Sequence, residues 1–175
     1  MQNKGKHPEL YIPASDVEKI LVSCEKCDPV YGDRNALIVW LMHVHGLTIH
    51  EVLRLRWVDI DLVEEWLRPG RTNTKRNTPH TLSDEDVGRL ATYHARWLPR
   101  YFLFPSLIAG KANLSVAAAQ RKVYSAARKI GFEDFKFKSL KYSCGVDLIN
   151  EEEDPVMIKI WLGHLIDEEL DIYIG

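Results

Sequence analysis

"GLTIHEVLRLRW", Gly46 to Trp57, opens on a helix-ending residue and closes on residues that suit a strand. Thr48 followed three positions later by Glu51 fits a capping box, in which each side chain satisfies a backbone N–H at a helix start. Ile49, Val52, Leu53 and Leu55 fall on one apolar face. The stretch therefore predicts a short helix beginning at Thr48 that runs into a strand, and this passage decides the fold class.

Upstream, "ALIVWLMHVH" from Ala36 to His45 reads as a nearly all-apolar helix, buried on most sides and ended by Gly46. Pro13 to about Cys27 reads as a first helix, capped by Ser15 with Glu18 three residues on, and striped by Val17, Ile20 and Leu21. Downstream, "RWVDIDLVEEWLR" alternates as a strand, a turn and a second strand, and "RTNTKRNTPHTLS" suits a hairpin tip with a third strand. Ser83 with Asp86 opens another helix, "RYFLFPS" is a short extended apolar run, and "LSVAAAQRKVYSAARKIG" is a helix closed by Gly131. "FKSLKYSCGVDLIN", "DPVMIKIWLGH" and "DEELDIYIG" all have helical spacing, with Asp154-Pro155 as a helix-start pair. Helices, a small three-stranded antiparallel sheet, then helices make a mainly α (α+β) domain. Residues 1–13 read as a tail and 14–175 as one domain.

At 175 residues and 46% hydrophobic, the chain can bury a single core. It has no run of about 18 apolar residues and no signal-peptide core, so a cytoplasmic protein is expected. Cys24 and Cys27 form a C-x-x-C pair, but no second such pair or H-x-x-x-H completes a zinc site. They read as helix residues, with no metal expected. The net charge of -2 hides a strong division: -4 over residues 1–67, +10 over 68–141 and -8 over 142–175. So basic a middle third suits phosphate; solvated helix faces are the alternative.

Five blocks in order carry a family resemblance. They are "RNALIVWLMHVHGLTIHEVLRLRWVDID" (34–61), "YFLFPS" (101–106), "FKSLKYSCGVDLI" (137–149), "WLGH" (161–164), and Tyr173 nine residues after His164. Over residues 14–175 the chain resembles the catalytic domain of the tyrosine recombinases, or phage integrases, a family of DNA recombination and integration and of mobile genetic elements. The resemblance implies a tyrosine oxygen that attacks a DNA phosphodiester and leaves a 3′-phosphotyrosine. Two arginines would neutralise the non-bridging oxygens, a hairpin lysine would protonate the leaving oxygen, and histidines would shuttle protons. It implies double-stranded DNA and other recombinase subunits as partners, with no cofactor, membrane or small-molecule substrate.

Carried over by position, the family's G-L-R-I-S-E pattern reads here as Gly46-Leu47-Thr48-Ile49-His50-Glu51, so Thr48 replaces the first arginine. The H-x-x-R motif falls on Lys138 and Lys141, His164 and Tyr173 match, and the hairpin lysine is Arg71 or Lys75. Losing one preorganised donor typically costs about 10²–10³ in rate, and lysine for arginine is not conservative at a bidentate site. The implied site is weak or inactive. One alternative is an active recombinase working through Tyr173, with Lys141, Arg71, Lys75 or Arg54 restoring charge. Another is a non-DNA protein-interaction module using the acidic "NEEEDP" and "DEELD". Each residue also has an ordinary structural reading: Tyr173 as helix packing, His164 as a helix cap, Lys138 and Lys141 as a solvated face. The family's N-terminal clamp and its docking segment beyond the tyrosine are not expected, since about a dozen residues precede the first helix and two follow Tyr173.

Overall fold

The computed structural model describes residues 3–71, 77–108, 110–164 and 167–175. Its helices are α1 (Ala14–Cys27), α2 (Gly32–Val44), α3 (Ile49–Arg54), α4 (Asp84–Trp97), α5 (Val116–Arg128), α6 (Phe137–Asn150) and α7 (Pro155–Leu162). Three two-residue strands, β1 (Ile60–Asp61), β2 (Trp66–Leu67) and β3 (His80–Thr81), lie between α3 and α4. They pair antiparallel in the order β1-β2-β3, with Ile60 opposite Leu67 and Leu67 opposite His80. The fold is mainly helical with a small three-stranded antiparallel sheet, as the order of sequence signals implies.

Both capping boxes form. Thr48 Oγ1 accepts from the Glu51 N–H at 3.3 Å, and Glu51 Oε2 accepts from the Thr48 N–H at 2.8 Å. Ser83 and Asp86 exchange the same two bonds at the start of α4. Asp154 opens α7 by accepting the Val156 N–H at 2.7 Å. Gly131, just beyond α5, has φ +92°, and the next residue, Phe132, donates its N–H back to the Ala127 carbonyl at 3.1 Å.

Four local expectations differ. Trp57–Asp59, read as the start of the first strand, winds as a 3₁₀ turn in which Asp59 accepts the Arg56 N–H at 3.1 Å, so β1 begins only at Ile60. Ser15 lies inside the first turn of α1, because Pro13 already holds the N-cap position without a side-chain bond. α2 starts at Gly32, four residues before Ala36. Asp28 sets that start: its side chain accepts the Tyr31 N–H at 3.0 Å and its carbonyl the Gly32 N–H at 2.7 Å. A side chain at Gly32 would meet the α1 backbone at Cys24 and Glu25, so the helix pair needs glycine there. The final segment, Asp167–Tyr173, winds as a 3₁₀ helix rather than an α-helix. It is short, and tertiary packing rather than helix propensity holds it.

α2 is the central element. Ile38, Val39 and Leu41 are fully buried on it, and α1, α5 and α6 pack around it. The "RYFLFPS" run crosses beside α3 in extended form: Leu103 N–H donates to Leu55 O at 2.8 Å, and Leu103 and Phe104 are fully buried. A second apolar cluster of Tyr142, Cys144, Val146, Ile158, Leu162, Leu170 and Tyr173 joins α6, α7 and the C-terminal segment. That small core fixes where the last residues sit relative to α3.

Candidate functional site

The N-terminus of α3, the first turns of α6 and the C-terminal segment meet at one concavity of about 310 Å³. Thr48, Lys138, Lys141 and Tyr173 all line it, beside Ile49 and Phe137. Lys138 and Lys141 share a helix face by their three-residue spacing; Lys138 is exposed and Lys141 half-buried. Thr48 contributes a half-buried hydroxyl already engaged in its cap.

The end of α7 adds the next layer. Lys141 Nζ donates to the Leu162 carbonyl at 2.6 Å. Arg71 Nη1 and Nη2 donate to the carbonyls of Ile160 and Trp161 at 3.1 and 2.8 Å. These carbonyls lie at the negative end of a helix, where cations are favoured, and that of Ile160 also accepts the Gly163 N–H at 3.2 Å. Arg71 Nε also pairs with Glu51 Oε1 at 3.1 Å, and the Arg71 side chain is 3% exposed. Glu51 thus serves both the Thr48 cap and the arginine. Burial holds the Lys141 ammonium below the usual lysine range, opposed by the nearby Glu51 carboxylate.

Gly163 ends α7 at φ +74°, and a side chain there would run into the Arg71 guanidinium. The chain then delivers His164, whose Nε2 lies 2.9 Å from the Tyr173 hydroxyl. Its Nδ1 faces Glu169 Oε1 at 3.6 Å. Burial, and then the neighbouring Lys141 charge, push the His164 pKa down to about 4. Neutral imidazole can therefore accept the Tyr173 O–H, the arrangement a general base needs. Tyr173 is 2% exposed, and burial, with Cys144 and Glu169 nearby, raises its pKa above the usual tyrosine range. Its ring lies against Gly145 of α6, where a side chain would meet ring carbons within 2.6 Å.

Of the residues expected from sequence, Thr48, Lys138, Lys141 and Tyr173 share the concavity, while His164 and Arg71 stand directly behind it. Arg54 is exposed as the last residue of α3. Lys75 lies outside the described residues.

Sequence reasoning missed a buried polar network beside this site. His45 is fully buried, with Nε2 3.3 Å from Asp86 Oδ1 and Nδ1 3.4 Å from His80 Nδ1. The His80 ring stacks on Trp161 at 4.1 Å. Burial, then His45, Arg71 and Lys141, push the His80 pKa down to about 2. No local pattern signals this network, because its members come from a helix end, a strand and two further helices.

A family model described as "Phage integrase family" matches residues 11–175. The type 1 fimbriae regulatory protein FimE of Escherichia coli (strain K12) is 24% identical over 162 residues, covering 88% of this chain and 79% of FimE. FimB of the same strain is 25% identical over 173 residues, covering 94% of this chain and 84% of FimB. The crystal structure of XerA recombinase superposes with a TM-score of 0.78 at 18% identity, covering 94% of this chain and 58% of that one. XerH site-specific recombinase, in a pre-cleavage complex bound to its difH substrate, gives 0.76 at 19% identity, covering 94% of this chain. The chain spans 58% and 49% of the lengths of those two solved structures, and the likeness to them is one of fold.

Proposed function

The chain belongs to the phage integrase family, and we propose that it is a DNA-binding member, associated with recombination or integration, whose strand-cleaving chemistry is impaired. One observation carries this reading. Thr48, at the family's first arginine position, closes the capping box of α3, while Lys141, at the second, donates to the end of α7. Neither supplies the planar double donor that phosphate transition states favour.

The tyrosine–histidine pair remains. In cleavage the Tyr173 oxygen would bond to phosphorus, its proton would pass to His164 Nε2, the bond from phosphorus to the 5′-oxygen would break, and the leaving 5′-oxygen would take a proton from water. Without fixed cationic donors on the non-bridging oxygens, that step lacks its largest electrostatic stabilisation. Lys138, exposed at the rim, and the basic middle third support phosphate contact that does not require cleavage. Such a protein would act in the cytoplasm or on the nucleoid.

A second reading is an active recombinase with a rebuilt site. It is favoured by the 2.9 Å His164–Tyr173 contact and by Arg71 packed against the Gly163 turn. Two assays separate them. Gel shifts on duplex DNA across salt are expected to give a clearly negative slope of log affinity against log salt, and a flat slope rejects phosphate binding. A duplex nicked beside the scissile phosphate traps cleavage products. Little adduct at Tyr173 under binding conditions supports impairment, whereas efficient capture favours the rebuilt site.

A further inference from the structure

The stretch before α1, expected as a tail, is stitched to the segment that carries Tyr173. Asn3 Nδ2 donates to the Tyr173 carbonyl at 2.9 Å, and the Lys6 N–H donates to the Ile172 carbonyl at 2.9 Å. The Tyr142 hydroxyl accepts the His7 N–H at 2.7 Å and lies 3.1 and 3.0 Å from the Lys4 and Ile172 carbonyls. Asn150 Nδ2 holds the Asn3 carbonyl from α6 at 2.9 Å. Gly5 sits at φ +71° in the tightest part of the crossing, where a side chain would strike the Tyr142 hydroxyl and come within 2.9 Å of the Ile172 carbonyl.

We infer that residues 3–7 are an intramolecular latch that keeps Tyr173 shielded until they detach. Two features set this apart from a segment that is simply ordered. First, the bonds fall on the backbone of Ile172 and Tyr173 themselves, and Tyr173 is 2% exposed in the latched state. Its hydroxyl has to leave His164 and its pocket to meet a bulky diester. That movement pulls on the carbonyls which Asn3 and Lys6 hold. Second, the latch is fastened by polar bonds rather than by apolar burial. Lys4, Lys6 and His7 are exposed, and Asn3 and Gly5 are half-buried. Segments with few buried apolar contacts open at low free energy, well below global unfolding. The latch is thus strong enough to register the tyrosine and weak enough to release it.

The latch takes Tyr173 as the candidate nucleophile from the proposed function. Its test uses no DNA, so it can fail while DNA binding stands, and hold where cleavage is absent. Nitration of Tyr173 by tetranitromethane, read by peptide mass, reports shielding of the phenol. Gly5→Val should unseat the latch and raise the Tyr173 nitration rate at least about fivefold, with buried Tyr93 unchanged as a check on the fold. Should Tyr93 react as well, the milder pair Asn3→Ala/Lys6→Pro decides. It removes the Asn3 side-chain donor and the Lys6 N–H while leaving Gly5 in place, and should speed Tyr173 alone by about twofold or more. Hydrogen exchange on residues 3–8 reports whether the latch has opened in either variant. An opened latch with Tyr173 nitration at the wild-type rate overturns the inference, as does a Tyr173 rate unmoved in both variants.

Discussion

Arg71 and Lys141 occupy one helix end together: Arg71 takes the carbonyls of Ile160 and Trp161, and Lys141 takes that of Leu162. Three successive carbonyls at the end of α7 thereby accept from two cations of different elements, one of which also pairs with Glu51. Arg71 and Lys141 are thus fastened to the scaffold, while Lys138 stays exposed at the rim.

Arg71→Met should therefore act on stability. It takes the guanidinium from Glu51, whose other carboxylate oxygen still accepts the Thr48 N–H, and from two helix-end carbonyls, and breaking a buried pair on one side costs up to about 3–5 kcal/mol. Urea unfolding should show a loss of that order. A loss below about 1 kcal/mol would mean that Arg71 is not what holds the α7 turn.

Thr48 offers a gain-of-function experiment. Thr48→Ala should cost about 1 kcal/mol through the lost cap and leave any residual cleavage unchanged. Thr48→Arg combined with Lys141→Arg should restore paired planar donors and raise adduct formation on a nicked duplex by about 10²–10³ or more. An unchanged adduct yield, in a variant that folds and binds DNA, would place the impairment elsewhere than the two arginine positions.

Gly145→Ala tests how the C-terminal segment is seated. Alanine is favoured over glycine inside a helix by roughly 1 kcal/mol, so α6 itself should not suffer. The new methyl, however, meets the Tyr173 ring within 2.6 Å. The expected result is an intact far-ultraviolet spectrum with Tyr173 displaced, seen as faster nitration at that residue.

Acid should weaken the fold through buried histidines. The His164 pKa falls from 6.5 to about 4 on folding, so the unfolded chain binds more protons between those values. Its contribution is fully present above about pH 6.5 and is lost as the pH drops towards 4, by on the order of 2–3 kcal/mol. His80, pushed down to about 2, acts with the same sign and over a wider range. Denaturant titrations at pH 7 and pH 5 should show the decline, and His164→Asn should make it shallower while the His80 part remains. An equally steep decline in that variant would assign the dependence to other groups.

Much of the fold was legible because its determinants are local. The Thr48–Glu51 and Ser83–Asp86 boxes, the Asp154-Pro155 start and the apolar run of α2 each act within a few residues, and each formed as read. The misreadings were also local: a proline displaced Ser15 as the cap of α1, and Asp28 started α2 early. The site residues could be nominated from motif order alone, but not their partners. No pattern in the sequence tells that Lys141 bonds to Leu162, that Arg71 faces Glu51 and the end of α7, or that Asn3 grips Tyr173.

By itself, then, the sequence determined most of the helices and the hairpin order, and it nominated Thr48 and Lys141 for the positions where the family resemblance implies arginines. Only the tertiary structure decided what those residues do. Thr48 and Tyr173 lie far apart along the chain and line one concavity because the core around α2 and the cluster behind α6 bring α3 and the last turn together. Hydrogen bonds at helix starts depend on neighbours three residues away. The state of a buried imidazole, phenol or ammonium depends on desolvation and on charges contributed by distant segments, and those exist only once the chain has closed on itself.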